Sequence, residues 1–213
     1  MLDSPTPIVF VVDNDSSVRE SLAMLIQAAG WQPQTFSSAT EFLAQTKSAV
    51  PSCLILDFAL PDINGLELQE RLTAERCDMP IVFLSGHVDL SVAVRAIKRG
   101  ALEFLTKPFD SEILLSTIRT AIKRSALALS REMEHRRLRG DYESLSRRER
   151  EVMAGVASGL LNKEVGAELG ISEITVKVHR GSVMRKMKAD SFAHLVNMAS
   201  RLRVVRHLTT SAA

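Results

Sequence analysis

Four polar residues stand where short apolar runs of this 213-residue chain stop. Asp13 closes "IVFVV", Asp57 closes "CLIL", Ser85 closes "IVFL", and Lys107 follows "LEFLT". The two carboxylates could hold a hard cation such as Mg²⁺, which is satisfied by one or two carboxylates and water. A phosphoryl group could then lie between that cation, the hydroxyl and the ammonium, its charge neutralised from several sides. A lone aspartate at a strand end is as readily a turn or helix-capping residue, but four polar residues placed alike point to one shared crevice. Asp15 follows Asp13 across a single amide, Asn14, so "DND" offers a second carboxylate nearby.

The elements that must position these groups alternate. Strands are predicted at 8–12, 32–36, 53–57, 81–85 and 102–105, several of them apolar throughout, as in a parallel sheet covered on both faces. Helical spacing lies between them. Residues 16–29 put Val18, Leu22, Leu25, Ile26 and Ala29 on one stripe that stops at Gly30. "SATE" at 38–41 has a capping-box pattern, and further helices start at Gly65 and Asp89. Five alternations predict a doubly wound five-stranded parallel α/β sheet, whose ligands sit beyond the carboxyl ends of the strands.

Charge separates the two halves. Residues 1–124 hold 11 Lys and Arg against 15 Asp and Glu, a net −4, whereas residues 125–213 hold 16 against 10, a net +6. A basic C-terminal half suggests a polyanion such as nucleic acid. Leu115, Ile118, Ile122, Ala126, Leu129 and Met133 recur at helical spacing and predict one long connecting helix, with a boundary near Gly140. Beyond it, Ser146 and Glu149 form a capping box. A short helix at 162–169, a turn at Gly170-Ile171 and a basic helix from Ser172 to about Met187 then make a helix-turn-helix. In that last helix Ile174, Val178 or Val183, Met184 and Met187 are expected to face partly inward. Only Tyr142 and Phe192 are aromatic after residue 124, too few for a single-strand stacking platform.

The motifs "VVDNDSSVRESL", "LILDFALPDINGLEL", "IVFLSGH" and "ALEFLTKPF" resemble the CheY-like receiver domain of two-component response regulators over residues 7 to about 124. The resemblance implies that Asp57 accepts a phosphoryl group from a sensor histidine kinase. It implies a Mg²⁺ site made by Asp13, Asn14, Asp57 and the carbonyl of Ala59, with Lys107, Ser85 and Phe104 as switch residues and a cis Lys107-Pro108 peptide. Receivers carry a second acid where this chain has Asn14, so weaker Mg²⁺ binding is expected. "LSRREREV", "NKEVGAELGIS" and "TVKVHRGSVMRKM" resemble the LuxR-type helix-turn-helix of the FixJ/NarL class across residues 144 to about 203. By motif position, Lys177 and Val178 reach base edges with Arg180 and Gly181 near them, and Lys163, Thr175 and Arg185 face phosphates. The implied protein is a phosphorylation-controlled transcription regulator with a receiver at 1–124, a helical linker at 125–143 and an all-α DNA-binding domain at 144–213. Its expected partners are a histidine kinase, double-stranded promoter DNA, RNA polymerase and a second copy of itself.

Two other readings stay open. In a haloacid-dehalogenase-like phosphatase, Asp13 would be the nucleophile, Asp15 the general acid, and Ser85 and Lys107 the phosphate binders; the later acidic pair of such enzymes is missing, and Asp57 would be idle. A regulator that works without phosphorylation is the reading that Asn14 favours. No apolar run approaches the roughly 18 residues of a membrane span, and "MLDSPTPIVF" has no basic stretch before its apolar segment, so a cytoplasmic protein is expected. Cys53 and Cys77 are at no metal-ligand spacing, and reduced thiols are expected.

Overall fold

The structure, a computed structural model, describes residues 5–45, 50–74, 79–86 and 90–204. It divides between Arg131 and Glu132 into two units. The first alternates five strands, β1 (Ile8–Val12), β2 (Gln32–Phe36), β3 (Ser52–Asp57), β4 (Ile81–Ser85) and β5 (Glu103–Thr106), with five helices. These are α1 (Ser16–Ala28), α2 (Ala39–Leu43), α3 (Gly65–Ala74), α4 (Leu90–Lys98) and α5 (Ser111–Glu143). All strand pairs are parallel, in the order β2-β1-β3-β4-β5. β3 and β4 are buried at every position because apolar side chains cover both faces. Phe10, Leu54, Leu56 and Phe83 lie on one side with Phe36 and Phe42. Val9, Val11, Cys53, Ile55 and Leu84 lie on the other, against Leu22, Ile26, Leu114 and Ile118. The two-residue period of a strand divides the apolar runs between the two cores. Cys53 is a free thiol in the second of them, and burial pushes it up to about 12; Cys77 lies outside the described residues, as does the expected helix start at Asp89.

Local chemistry departs from expectation at two places, the box in "SATE" and the bounds of β5. The Ser38 side chain accepts from Glu41 N at 3.2 Å, but the Glu41 carboxylate accepts from Ser37 N and Oγ at 2.8 and 2.9 Å. The capping box expected in "SATE" is therefore completed one residue early. β5 starts and ends one residue later than its apolar pattern suggested, because its ladder with β4 is set by Val82↔Glu103 through Ser85↔Thr106. The long helix runs on through Gly140 to Glu143. A mid-helix glycine costs only about 1 kcal/mol relative to alanine, and Leu138 and Tyr142, on either side of it, pack into the second unit's core. Met133, at the end of the expected stripe, is exposed.

That second core is built by α6 (Arg147–Ala157), α7 (Asn162–Leu169), α8 (Glu173–Lys186) and α9 (Phe192–Arg201). Ser146 and Glu149 make the reciprocal capping box, with bonds of 2.7 and 3.3 Å. Ser172 and Ser191 cap α8 and α9, and Gly170 turns the chain between α7 and α8 at φ +65°. Val152, Met153, Val165, Val176, Val183, Met187 and Leu195 fill the centre. The inward face of α8 is Val176, Val183 and Met187, whereas Ile174 and Val178 are 74% and 63% exposed. This corrects the expectation that Ile174 turns partly inward and decides between Val178 and Val183 in favour of Val183. Val176, Val183 and Met187 follow the helical period of 3.6, and Ile174 and Val178 fall about half a turn away from them.

α7 and the turn before α8 approach closely at Gly166, where a Cβ would lie 2.8 Å from the Ile171 carbonyl oxygen; at Gly181 in α8 a Cβ would meet nothing within 4 Å. Gly166→Ala should therefore destabilise the second unit by about 1–3 kcal/mol, the usual cost of overpacking. Gly181→Ala should stabilise it by about 0.5–1 kcal/mol through helix propensity. Denaturant unfolding followed by circular dichroism distinguishes the two, and shifts of the same sign would contradict the packing described.

Candidate functional site

Strand register brings the polar strand ends to one level. Val12 pairs with Leu56, so Asp13 and Asp57 are the next residues on adjacent strands. Asp57 pairs with Leu84, which places Ser85 one step on, and Ser85 pairs with Thr106, after which Lys107 N donates to the Ser85 carbonyl at 2.7 Å. The Lys107-Pro108 peptide is cis, as expected. Asp13, Asp57 and Ser85 are all buried. The Lys107 ammonium bridges the two carboxylates, 2.6 Å from Asp13 Oδ2 and 2.9 Å from Asp57 Oδ1. The four residues singled out at the strand ends thus share one crevice, three of them joined by these two bonds.

Burial and charge act against each other there. Burial raises the Asp57 pKa above its ordinary value; the bonded Lys107 opposes this and the neighbouring Asp13 charge adds to it. For Lys107, burial disfavours the ammonium, but its bonds to Asp13 and Asp57 prevail and its pKa is raised. Asp57 is thus easier to protonate than a solvated aspartate, and Lys107 holds its proton more firmly than a free lysine. Phe104 is half-buried and stacks on Phe83, ring centroids 6.1 Å apart. Gly65 opens α3 where a Cβ would lie 3.2 Å from the Asp57 carbonyl oxygen, so α3 begins hard against the end of β3.

Asn14 and Ala59 are exposed beside the two carboxylates. Among the described residues no cluster of three or more acidic, histidine or cysteine side chains is arranged to hold a metal. Two carboxylates, an amide and a backbone carbonyl are all oxygen donors, however, and Mg²⁺ needs no more than one or two carboxylates. The ammonium that bridges Asp13 and Asp57 marks where positive charge is favoured. The donor set fits the cation.

Asp15 does not join the crevice. Its Oδ1 accepts from Ser17 N at 2.8 Å and Val18 N at 3.4 Å, capping α1. The general-acid role that a phosphatase would require of it is therefore vacant. Two residues that sequence reasoning passed over hold the crevice walls. Arg19 Nη1 donates to the Asp13 carbonyl at 2.7 Å. Asp62, in the loop after β3, accepts from Thr40 N and Oγ1 at 2.7 Å each and from Ala39 N at 3.3 Å. Burial opposes ionisation of Asp62, but these bonds and one from Ile63 N hold its carboxyl down to about 2. Thr40 lies 22 residues from Asp62 in sequence, so no local pattern could pair them.

On the second unit, α8 turns Ile174, Lys177, Val178, Gly181 and Arg185 outward. Lys177 Nζ lies 2.9 Å from Glu173 Oε1. Thr175 Oγ1 bonds the Ser172 hydroxyl at 2.8 Å, and Lys163 is exposed in the first turn of α7. The Arg180 guanidinium lies 4.5 Å over the Phe192 ring and 3.4 Å from Asn162 Oδ1, so it ties α7, α8 and α9 together at the flank of α8. Lys186 and Lys188 are held by Glu149 and Asp141 at 2.7 and 2.8 Å. Lys177, Arg185 and Lys163 thus remain at the surface as the cations nearest the outward face.

Residues 9–119 match the family of response regulator receiver domains, and residues 143–199 match the bacterial regulatory proteins of the luxR family. Response regulator protein TmoT of Ectopseudomonas mendocina is 44% identical over 92% of this chain and 89% of its own length. Transcriptional regulatory protein FixJ of Bradyrhizobium diazoefficiens is 37% identical over 91% of this chain and 94% of its own. Among solved structures, response regulator StyR superposes with a TM-score of 0.83 at 42% identity, over 92% of this chain and 99% of that one. The buried carboxylates at the ends of a parallel sheet and the helix-turn-helix of the second unit are accordingly those of a transcriptional regulator of two-component systems, and the chain belongs to the response-regulator family with a receiver and a LuxR-type DNA-binding domain.

Proposed function

We propose that Asp57 accepts a phosphoryl group from the phosphohistidine of a sensor kinase and that the aspartyl phosphate controls how the C-terminal domain engages promoter DNA. The observation that carries this is the buried Asp57 carboxylate held 2.9 Å from Lys107 Nζ, with Asp13 and Ser85 beside it. A carboxylate oxygen of Asp57 attacks phosphorus, the phosphorus–nitrogen bond breaks, and the imidazole leaves and takes up a proton. The receiver supplies this chemistry itself, so small phosphodonors also serve. Asp13, Asn14, Asp57 and the Ala59 carbonyl would hold Mg²⁺, whose charge offsets that of the transferred group. The new phosphate adds about −1.5 to −2 charges and three acceptor oxygens. Lys107 moves onto it from Asp57, the Ser85 hydroxyl donates to it, and Phe104 follows Ser85 inward. Residues 1–124 act as the receiver, 125–143 as linker and 144–213 as the DNA-binding domain. A second copy and RNA polymerase complete the assembly on DNA, in the cytoplasm.

Acetyl phosphate with Mg²⁺ should add one phosphoryl mass to the wild type and none to Asp57→Asn, read by mass spectrometry. Labelling of the variant would remove the assignment.

Asn14 leaves the crevice one negative charge short, which weakens its hold on a divalent cation. Asn14→Asp should tighten Mg²⁺ by about 1 kcal/mol, several-fold in affinity. The gross attraction at 4 Å and an effective dielectric of 20 is on the order of 4 kcal/mol per metal charge, reduced by desolvation and by repulsion from Asp13 and Asp57. Calorimetric titration of both proteins checks this; unchanged or weaker affinity would place residue 14 outside the coordination shell.

On DNA, Lys177 and Val178 read base edges beside Arg180, while Lys163, Thr175 and Arg185 contact phosphates. Lys177→Ala should cost about 1–3 kcal/mol at a selected site and relax its sequence preference, whereas Lys163→Ala should weaken all duplexes alike and flatten the salt dependence. Binding titrations on selected and random duplexes at several salt concentrations separate the two, and equal loss by both variants on random DNA would contradict base reading by Lys177.

A further inference from the structure

The outward face of α8 is unusual for a helix flanked by cations. Ile174 and Val178, one turn apart, are 74% and 63% exposed and lie on the side away from Val176 and Val183. Lys177 and Arg185 share that face, and at Gly181, on the next turn, a Cβ would meet only open space. We propose that Ile174 and Val178 read the C5 methyl groups of thymines in the major groove, so that each half-site carries two thymines about two base-pair steps apart. The proposal rests on the DNA-binding reading above and gives it a base preference.

The occupant follows from charge and from what base edges offer. Exposed lysine and arginine around two bare aliphatic side chains favour a polyanion over an apolar protein surface. In the major groove the thymine methyl is the one aliphatic group; every other distinguishing feature is a hydrogen-bond donor or acceptor. Isoleucine and valine can satisfy neither. Pressed against a guanine, cytosine or adenine edge they would strip water from polar atoms and return nothing. Against a methyl they bury apolar surface on both partners. Both side chains are β-branched and stiff at χ1, so little rotamer freedom is lost on contact. Four residues of helix rise about 6 Å, against about 3.4 Å per base step, which sets the two-step spacing. With no side chain at Gly181, the two methyl-bearing contacts on the preceding turns are left to carry the apolar part of the readout.

The test uses the full-length protein, with and without acetyl phosphate, to select duplexes from a randomised library. The enriched duplex is then resynthesised with deoxyuridine in place of each thymine in turn, which removes the methyl and leaves base pairing intact. Two positions per half-site, about two steps apart, should each lose about fourfold in affinity on deoxyuridine substitution, the ratio expected for one buried methyl-sized group. Ile174→Ala should bind the thymine duplex several-fold more weakly and no longer distinguish thymine from deoxyuridine at one of these positions, and Val178→Ala should do the same at the other. Both residues are largely exposed, so the variants should retain the wild-type circular dichroism and salt dependence. An enriched duplex that binds equally with thymine or deoxyuridine at every position would overturn the methyl readout while leaving DNA binding in place. So would variants that still discriminate between the two bases. If no duplex is enriched, the DNA-binding reading falls, and the methyl readout with it; self-association of the wild type that Ile174→Ala abolishes would then assign the patch to a second copy.

Discussion

Two carboxylates buried side by side at the end of a sheet need positive charge between them, and in this protein the Lys107 ammonium supplies it at 2.6 and 2.9 Å. Leaving either carboxylate ionised and unpaired in such a place would cost several kcal/mol. Much of the receiver is arranged around meeting that condition. Parallel register levels Asp13 with Asp57, the β4–β5 ladder delivers Lys107 beside Ser85, and Gly65 lets α3 start against the backbone of Asp57. The same ammonium ties the ends of β1, β3 and β5 together.

The walls of the crevice are held by bonds that have no direct part in phosphoryl chemistry. Asp62 clasps the start of α2 from the loop after β3, and Arg19 holds the Asp13 carbonyl from α1. Asp15 caps α1 and so fixes the turn that follows Asp13. These contacts tie down the loops that carry Asn14 and Ala59.

In the second domain a small apolar core has to keep one helix face turned outward. Val176, Val183 and Met187 fasten α8 to the core, and the capping box at Ser146 and Glu149 fixes the start of α6. Glu149 also holds Lys186, and Arg180 lies over Phe192. Several of the cations that make this half basic are thus engaged within the domain. The number of cations in this half therefore overstates how many are available to DNA.

The sequence by itself determined the order of strands and helices, the strand-end residues Asp13, Asp57, Ser85 and Lys107, the caps at Ser146 and Ser172, and the helix-turn-helix at 162–187. All of these follow from short-range signals: apolar period, capping chemistry and motif spacing within about 20 residues. Tertiary structure decided what depends on contacts far apart in the chain. Asp62 finds Thr40 across 22 residues, and Leu138 and Tyr142 find a core built by the later helices. The same holds for α8, where Ile174 and Val178 were open to an inward reading from hydrophobicity alone. A helix of mixed sequence has more than one apolar stripe to offer, and which stripe is buried is settled by the neighbours it meets, here those that bury Val176 and leave Ile174 and Val178 in water.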